Sequence, residues 1–179
     1  YCNFDTKRPL RHFFDPQFIF SDGINIYGRG LTITTPLLSV TYLTSPTWAL
    51  EDLTSDSNQE FSYADARNHF VAAFTSDSQT TRQVEMSRVF QTLGQVIHHL
   101  QDMGQPQHAR LDKHPSDPRN FYEHYSQMHE ADIVAILNNA SLAYSNPSTS
   151  TYFAMPREYW HTPDGKPHKR GMAEFTGRN

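Results

Sequence analysis

The chain has 179 residues, 37% hydrophobic and 19% charged, which is enough for one domain with a real core. A formal charge of −4 excludes a broad cationic surface for nucleic acid or anionic lipid. No apolar run approaches the roughly 20 residues of a membrane span, and no charged-then-apolar signal opens the chain. Ten histidines beside 19 acids are the outlier, a surplus that goes with metal or proton chemistry, while the single cysteine, Cys2, leaves the redox compartment unread. Because Tyr1 is not an initiator methionine, a processed or partial product is expected.

In chain order, Arg11-His-Phe-Phe-Asp-Pro16 packs one imidazole against two aromatics. By itself His12 reads either as a ligand or as a core histidine hydrogen-bonded to Asp15, and Phe13 and Phe14 read as core. From 17 to 44 the sequence has no helical period, although Leu31-Thr-Ile-Thr34 alternates as a half-buried strand does; a long irregular loop with room for a small hairpin is predicted. Ser45 followed by Pro46 predicts an N-cap and first helical residue, with Trp48, Ala49 and Leu50 as an apolar patch and Glu51 and Asp52 ending the helix in solvent. After a polar loop at 55–59, Ser62 and Asp65 form a capping box. The helix it opens is expected to bury Phe70, Val71 and Phe74, to carry His69 in a structural role, and to stop near Ser76.

A long central helix is predicted from Thr80 or Thr81 to about Met103. Its apolar residues Val89, Phe90, Leu93, Val96, Ile97, Leu100 and Met103 recur at helical spacing, and Arg82 and Glu85 fall on the wet side. His98 and Asp102 stand one turn apart, which places their Cβ atoms roughly 5–6 Å from each other, within reach of one divalent ion. Gly104 and Pro106 stop the helix and His108 follows in the bend. Imidazole, carboxylate and imidazole suit zinc, a borderline ion that accepts nitrogen and hard oxygen donors alike. Read blandly, His98 and His99 are partly buried histidines and Asp102 a solvated or capping carboxylate. The third donor beyond the helix stop favours a metal.

Further on, Asp112 and His114 occupy a loop, and Asp117-Pro118 caps a helix with Phe121, Tyr122, Tyr125 and Met128 on its apolar side. Glu123 and His124 are adjacent, so they point about 100° apart and only one of them faces a given site. A helical stretch from 130 to 140, a Ser/Thr/Pro loop from 145 to 151, aromatics from 153 to 160 and a last helical turn or two after Gly171 complete the chain, which is expected to break off inside an element. The sequence contains no internal repeat, P-loop, dinucleotide fingerprint, Gly-x-Ser-x-Gly elbow or basic stripe with interleaved aromatics.

His12-Phe-Phe-Asp-Pro16, the motif His98-x3-Asp102-x5-His108 with Gln105-Pro106, and Phe121-Tyr-Glu123 resemble the zinc-dependent phospholipases C, relatives of the fungal single-strand-specific nucleases. The resemblance runs from His12 to Tyr125. It implies an all-α helical bundle with two or three zinc ions in a cleft, and hydrolysis of a phosphodiester, with phospholipid favoured over nucleic acid. By motif, His12, His98 and Asp102 would hold one zinc, Asp102 would bridge to another, and His108 and Glu123 would hold that second ion. Arg119 stands where the family has a histidine, and a guanidinium cannot ligate; His114 is the expected substitute. The family's N-terminal ligands have no match in 1–10. The chain therefore reads as a single zinc-phospholipase-C-like domain, 1–179, without its first helix and its C-terminal helices, whose partners include the rest of a longer polypeptide. Such enzymes are exported, which implies a secreted or periplasmic product. Two alternatives are a single-strand nuclease of the same fold and a non-catalytic helical module for binding or assembly.

Overall fold

Residues 10–21, 26–51, 59–112, 121–139, 156–161 and 171–178 are described by a computed structural model. Of the interpretable residues 63% are helical, in seven α-helices, beside two two-stranded sheets. The mostly helical expectation holds, and the irregular loop expected over 17–44 is replaced by two antiparallel hairpins. β1 (Asp15–Ser21) pairs with β2 (Ile26–Arg29), and β3 (Thr32–Thr34) pairs with β4 (Ser39–Thr41) in the register Thr34 to Ser39. β-Branched Thr, Ile and Val favour the extended backbone, and Pro36 presets the turn between β3 and β4. At Gly28 a Cβ would run into the Phe14 ring, so glycine is what lets β2 lie against that buried aromatic.

The chain divides into two units, Tyr1–Leu111 with Phe153–Asn179, and Asp112–Tyr152. In the first, α1 (Ser45–Leu50) carries Pro46 in its first turn, but its cap is Thr44, whose hydroxyl accepts from the Thr47 amide. The expected cap, Ser45, is fully buried with its hydroxyl used elsewhere, so capping passes to the preceding residue. α2 (Tyr63–Thr75) begins with the predicted Ser62–Asp65 capping box and ends at Ser76. α3 (Gln79–Asp102) is capped by Ser78 and packs against α2.

The buried faces of both helices differ from the periodic reading. α2 buries Ala66 and Ala73, while Phe70, Val71 and Phe74 are at least half exposed. Small residues permit close approach of two helix backbones, so Ala66 and Ala73 face α3 and the larger side chains turn outward. Along α3 the buried positions are Val89, Thr92, His99 and Asp102, with Phe90 and Ile97 outside. Glu85, expected in solvent, is half-buried and pairs with His69 Nδ1 at 2.6 Å, which gives His69 the structural role foreseen.

The core of this unit is Phe14, Ala49, Met103, Trp160 and Ala173, with Leu50, Val96 and Leu100 packed against it. It is closed by α4 (Pro106–Ala109), a 3₁₀ turn at Pro156–Tyr159, and α7 (Met172–Arg178), which touches β1 and α4. A Cβ at Gly171 would meet the Trp160 backbone, so glycine is required where α7 begins. In the second unit, α5 (Phe121–Met128) and α6 (Glu130–Asn139) follow the predicted helical stretches, although Tyr122, Tyr125 and Met128 are exposed. The Asp117-Pro118 cap, Asp52 and the loop at 145–151 lie outside the described residues.

Candidate metal centre

His12 reaches the centre on the segment before β1. The Phe14 amide donates to the His108 carbonyl at 3.2 Å and the Ser45 amide to the Phe13 carbonyl at 3.1 Å, so backbone bonds hold this segment between α4 and α1. Buried Phe13 lies edge-on to both the His12 and His108 rings, with centroids 4.7 and 5.1 Å away. That wedge sets the orientation of the two imidazoles, whose own centroids are 4.2 Å apart. Phe13 and Phe14 are core, as expected.

α3 delivers His98 and Asp102 one turn apart and then stops. The Gly104 amide donates to the Gln101 carbonyl and the Gln105 amide to the Asp102 carbonyl, and Pro106 opens α4 at once. His108 therefore sits in a short helix instead of an open bend, and its Nδ1 lies 3.0 Å from the Asp102 carbonyl. Because a carbonyl only accepts, this bond puts the His108 proton on Nδ1 and the ring lone pair on Nε2.

Around Asp102, Oδ2 lies 3.2 Å from His12 Nδ1 and 3.4 Å from His98 Nε2, while Oδ1 lies 3.8 Å from His108 Nδ1. His12, Asp102 and His108 each offer a donor atom, all within 4.8 Å of one another, and this group can hold a metal ion. The donor set fits: two donors on a tetrahedral ion with bonds near 2.0–2.1 Å stand about 3.4 Å apart. His98 faces the same carboxylate oxygen from the more exposed side. Local sequence offered His12 a neighbour in Asp15; the structure pairs it with Asp102, 90 residues away.

Burial of Asp102 raises its pKa, but the hydrogen bond from His12 and the charges of His12, His98 and His108 outweigh this and hold the carboxyl below its usual value. A carboxylate kept charged inside the fold suits a cation.

Behind these candidate ligands is a network that sequence reasoning missed. Ser45 Oγ accepts from Trp160 Nε1 at 3.1 Å and pairs with His99 Nδ1 at 3.1 Å, and the His99 ring stacks on Trp48 with centroids 4.4 Å apart. Only the adjacency of His99 to His98 hinted at it. Buried His161 likewise pairs with Glu174 at 3.7 Å, and Glu174 also accepts from the Gly171 amide. Of the remaining expected ligands, Glu123 lies in α5 with its side chain outside the described set, and His114 lies outside the described residues, as does the non-ligating Arg119. No family model, curated protein or solved structure matches the chain.

Proposed function

We propose that the chain is a zinc-dependent phosphoric-ester hydrolase of the phospholipase C type, with His12, His98, Asp102 and His108 as metal ligands. The observation that carries the reading is the convergence of His12 on Asp102 across 90 residues of sequence, at 3.2 Å, beside two further imidazoles on α3 and α4. Asp102 Oδ2 faces both His12 and His98, which leaves Oδ1 for a second ion that His108 would meet through Nε2. In this reading His114 and Glu123 complete the second ion's ligands.

When bound, zinc supplies Lewis-acid polarisation of a phosphoryl oxygen and lowers the pKa of water to about 7. The chain's own groups prepare that chemistry. Asp102 provides the fixed negative charge, and its carbonyl locks the His108 tautomer. Phe13 holds the two imidazoles in place and helps to keep bulk water from Asp102 and His108, both buried. A net charge of −4 with no basic stripe favours a phospholipid over a nucleic acid as the phosphodiester.

Metal analysis of the purified chain, with turnover of phosphatidylcholine, single-stranded DNA and a small phosphodiester, tests the proposal. Bound zinc with phosphatidylcholine turnover is the expected result, and Asp102→Ala loses both. Unchanged zinc in that variant removes Asp102 from the site, DNA as the preferred substrate replaces the lipase by a nuclease, and zinc without turnover leaves a structural module.

A further inference from the structure

The β3–β4 hairpin ends in the tip Thr35-Pro36-Leu37-Leu38, where Leu37 is 97% and Leu38 63% exposed. Scattered surface leucines are ordinary, but here two adjacent ones stand at the apex of one hairpin, both mostly exposed among the described residues. We infer that this hairpin is a docking element that inserts Leu37 and Leu38 into the interface of a phospholipid bilayer. The inference deepens the phospholipase reading by naming how a bilayer substrate is approached, and its binding test stands apart from turnover.

Three observations select a bilayer. First, the turn satisfies the backbone groups that frame its tip. The Thr35 amide donates to the Leu38 carbonyl at 2.7 Å, the Leu38 amide donates back to the Thr35 carbonyl at 3.3 Å, and the Thr35 hydroxyl donates to the Leu38 carbonyl at 3.0 Å. Pro36 has no N–H to satisfy. The pairing covers Thr35 and Leu38, so the polar groups left at the apex are few and can be met by headgroups and water, which suits the interface and not the hydrocarbon core.

Second, the strands below the tip pair their hydroxyls across the ladder, Thr32 with Thr41 at 2.9 Å and Thr34 with Ser39 at 3.1 Å. Third, charge is distributed as an interface requires. No charged residue stands between Arg29 and Glu51, in a chain that is 19% charged overall. At the foot of the hairpin Arg29 bonds the Thr32 hydroxyl at 3.4 Å, and the Arg11 guanidinium lies over the Tyr42 ring at 5.9 Å. Two strand residues and a turn separate Thr32 from the tip, about 10 Å, comparable with the roughly 5–10 Å to which interfacial elements bury their apolar side chains. The apolar tip and the cationic foot are thus spaced as the two layers of the interface are. The far end of β4 leads to Ser45, bonded to Phe13 beside the ligand His12, so docking and metal binding share one stretch of backbone.

Sedimentation with vesicles of phosphatidylcholine, alone and with added phosphatidylglycerol, tests the inference. The wild-type chain is expected to bind phosphatidylcholine vesicles with little dependence on salt, because insertion and not long-range attraction drives it. The double variant Leu37→Ser, Leu38→Ser is expected to bind at least about tenfold more weakly with its melting temperature little changed, since both side chains are mostly exposed. In Leu37→Trp, vesicles are expected to shift tryptophan emission to the blue. Equal vesicle binding by the double variant, no binding by the wild type, or a self-association abolished by the leucine changes would each overturn the inference. Turnover of a water-soluble phosphodiester by the wild type separates the two readings: leucine-dependent vesicle binding without turnover sinks only the hydrolase, and turnover with leucine-independent binding sinks only the docking element.

Discussion

Burial raises the energy of the Asp102 carboxylate, and the hydrogen bond from His12 with the charges of three imidazoles lowers it further than burial raises it. A carboxyl whose folded pKa lies below its unfolded value of about 3.9 stabilises the fold above that pH, and the contribution is lost as pH falls through the folded value. In metal-free protein, Asp102→Asn is therefore expected to flatten the decline of stability below about pH 4, read from urea midpoints in an acid series; parallel curves for variant and wild type would contradict this. At Ser45 one hydroxyl serves both Trp160 and His99 inside the core. Ser45→Ala strands two buried polar groups and is expected to lower stability by about 1–3 kcal/mol, measured by denaturant unfolding. A loss below about 0.5 kcal/mol would mean that the network contributes nothing.

Helix ends and helix faces followed different rules. The ends were readable because a cap is a bond between residues a few apart: Ser62 and Asp65 open α2, and Gly104 with Pro106 halts α3 before α4. Ser62→Ala should accordingly remove about 1 kcal/mol of stability, since the hydroxyl that meets the Asp65 amide is lost. The faces were misread because periodicity groups side chains into a stripe without saying which neighbour, if any, covers it. Phe74 is 67% exposed and Ala66 is buried, so Phe74→Ser should change stability by no more than about 0.5 kcal/mol, whereas Ala66→Leu should destabilise by about 1–3 kcal/mol through overpacking against α3. Thermal melts of the pair decide it, and the reverse order would restore the periodic reading.

For the whole molecule, the candidate metal centre joins positions that the chain keeps far apart, His12 before β1 and Asp102 at the end of α3. An ion held by both binds only the folded state. Zinc at a hundredfold excess over its dissociation constant should therefore add about 2.7 kcal/mol, and a chelator should remove it. His12→Ala is expected to abolish most of that zinc-dependent rise in melting temperature; an undiminished rise would exclude His12 as a ligand. The same shift should fade on acidification, because an imidazole must be neutral to ligate.

Sequence alone determined the pieces whose energetics are local: the capping box of α2, the extent and stop of α3, and the one-turn spacing of His98 and Asp102. Each depends on contacts within about four residues, so the relevant partners are visible side by side. The tertiary structure decided the rest. It brought Asp102 to His12 from 90 residues away, moved Ser45 from a cap into the core and the capping duty to Thr44, and paired the strands between 15 and 41 as two hairpins. In each of these a side chain or strand had two chemically acceptable partners. The choice rested on which of them packing brought within bonding distance, an energy that belongs to the assembled core and to no short segment of the chain.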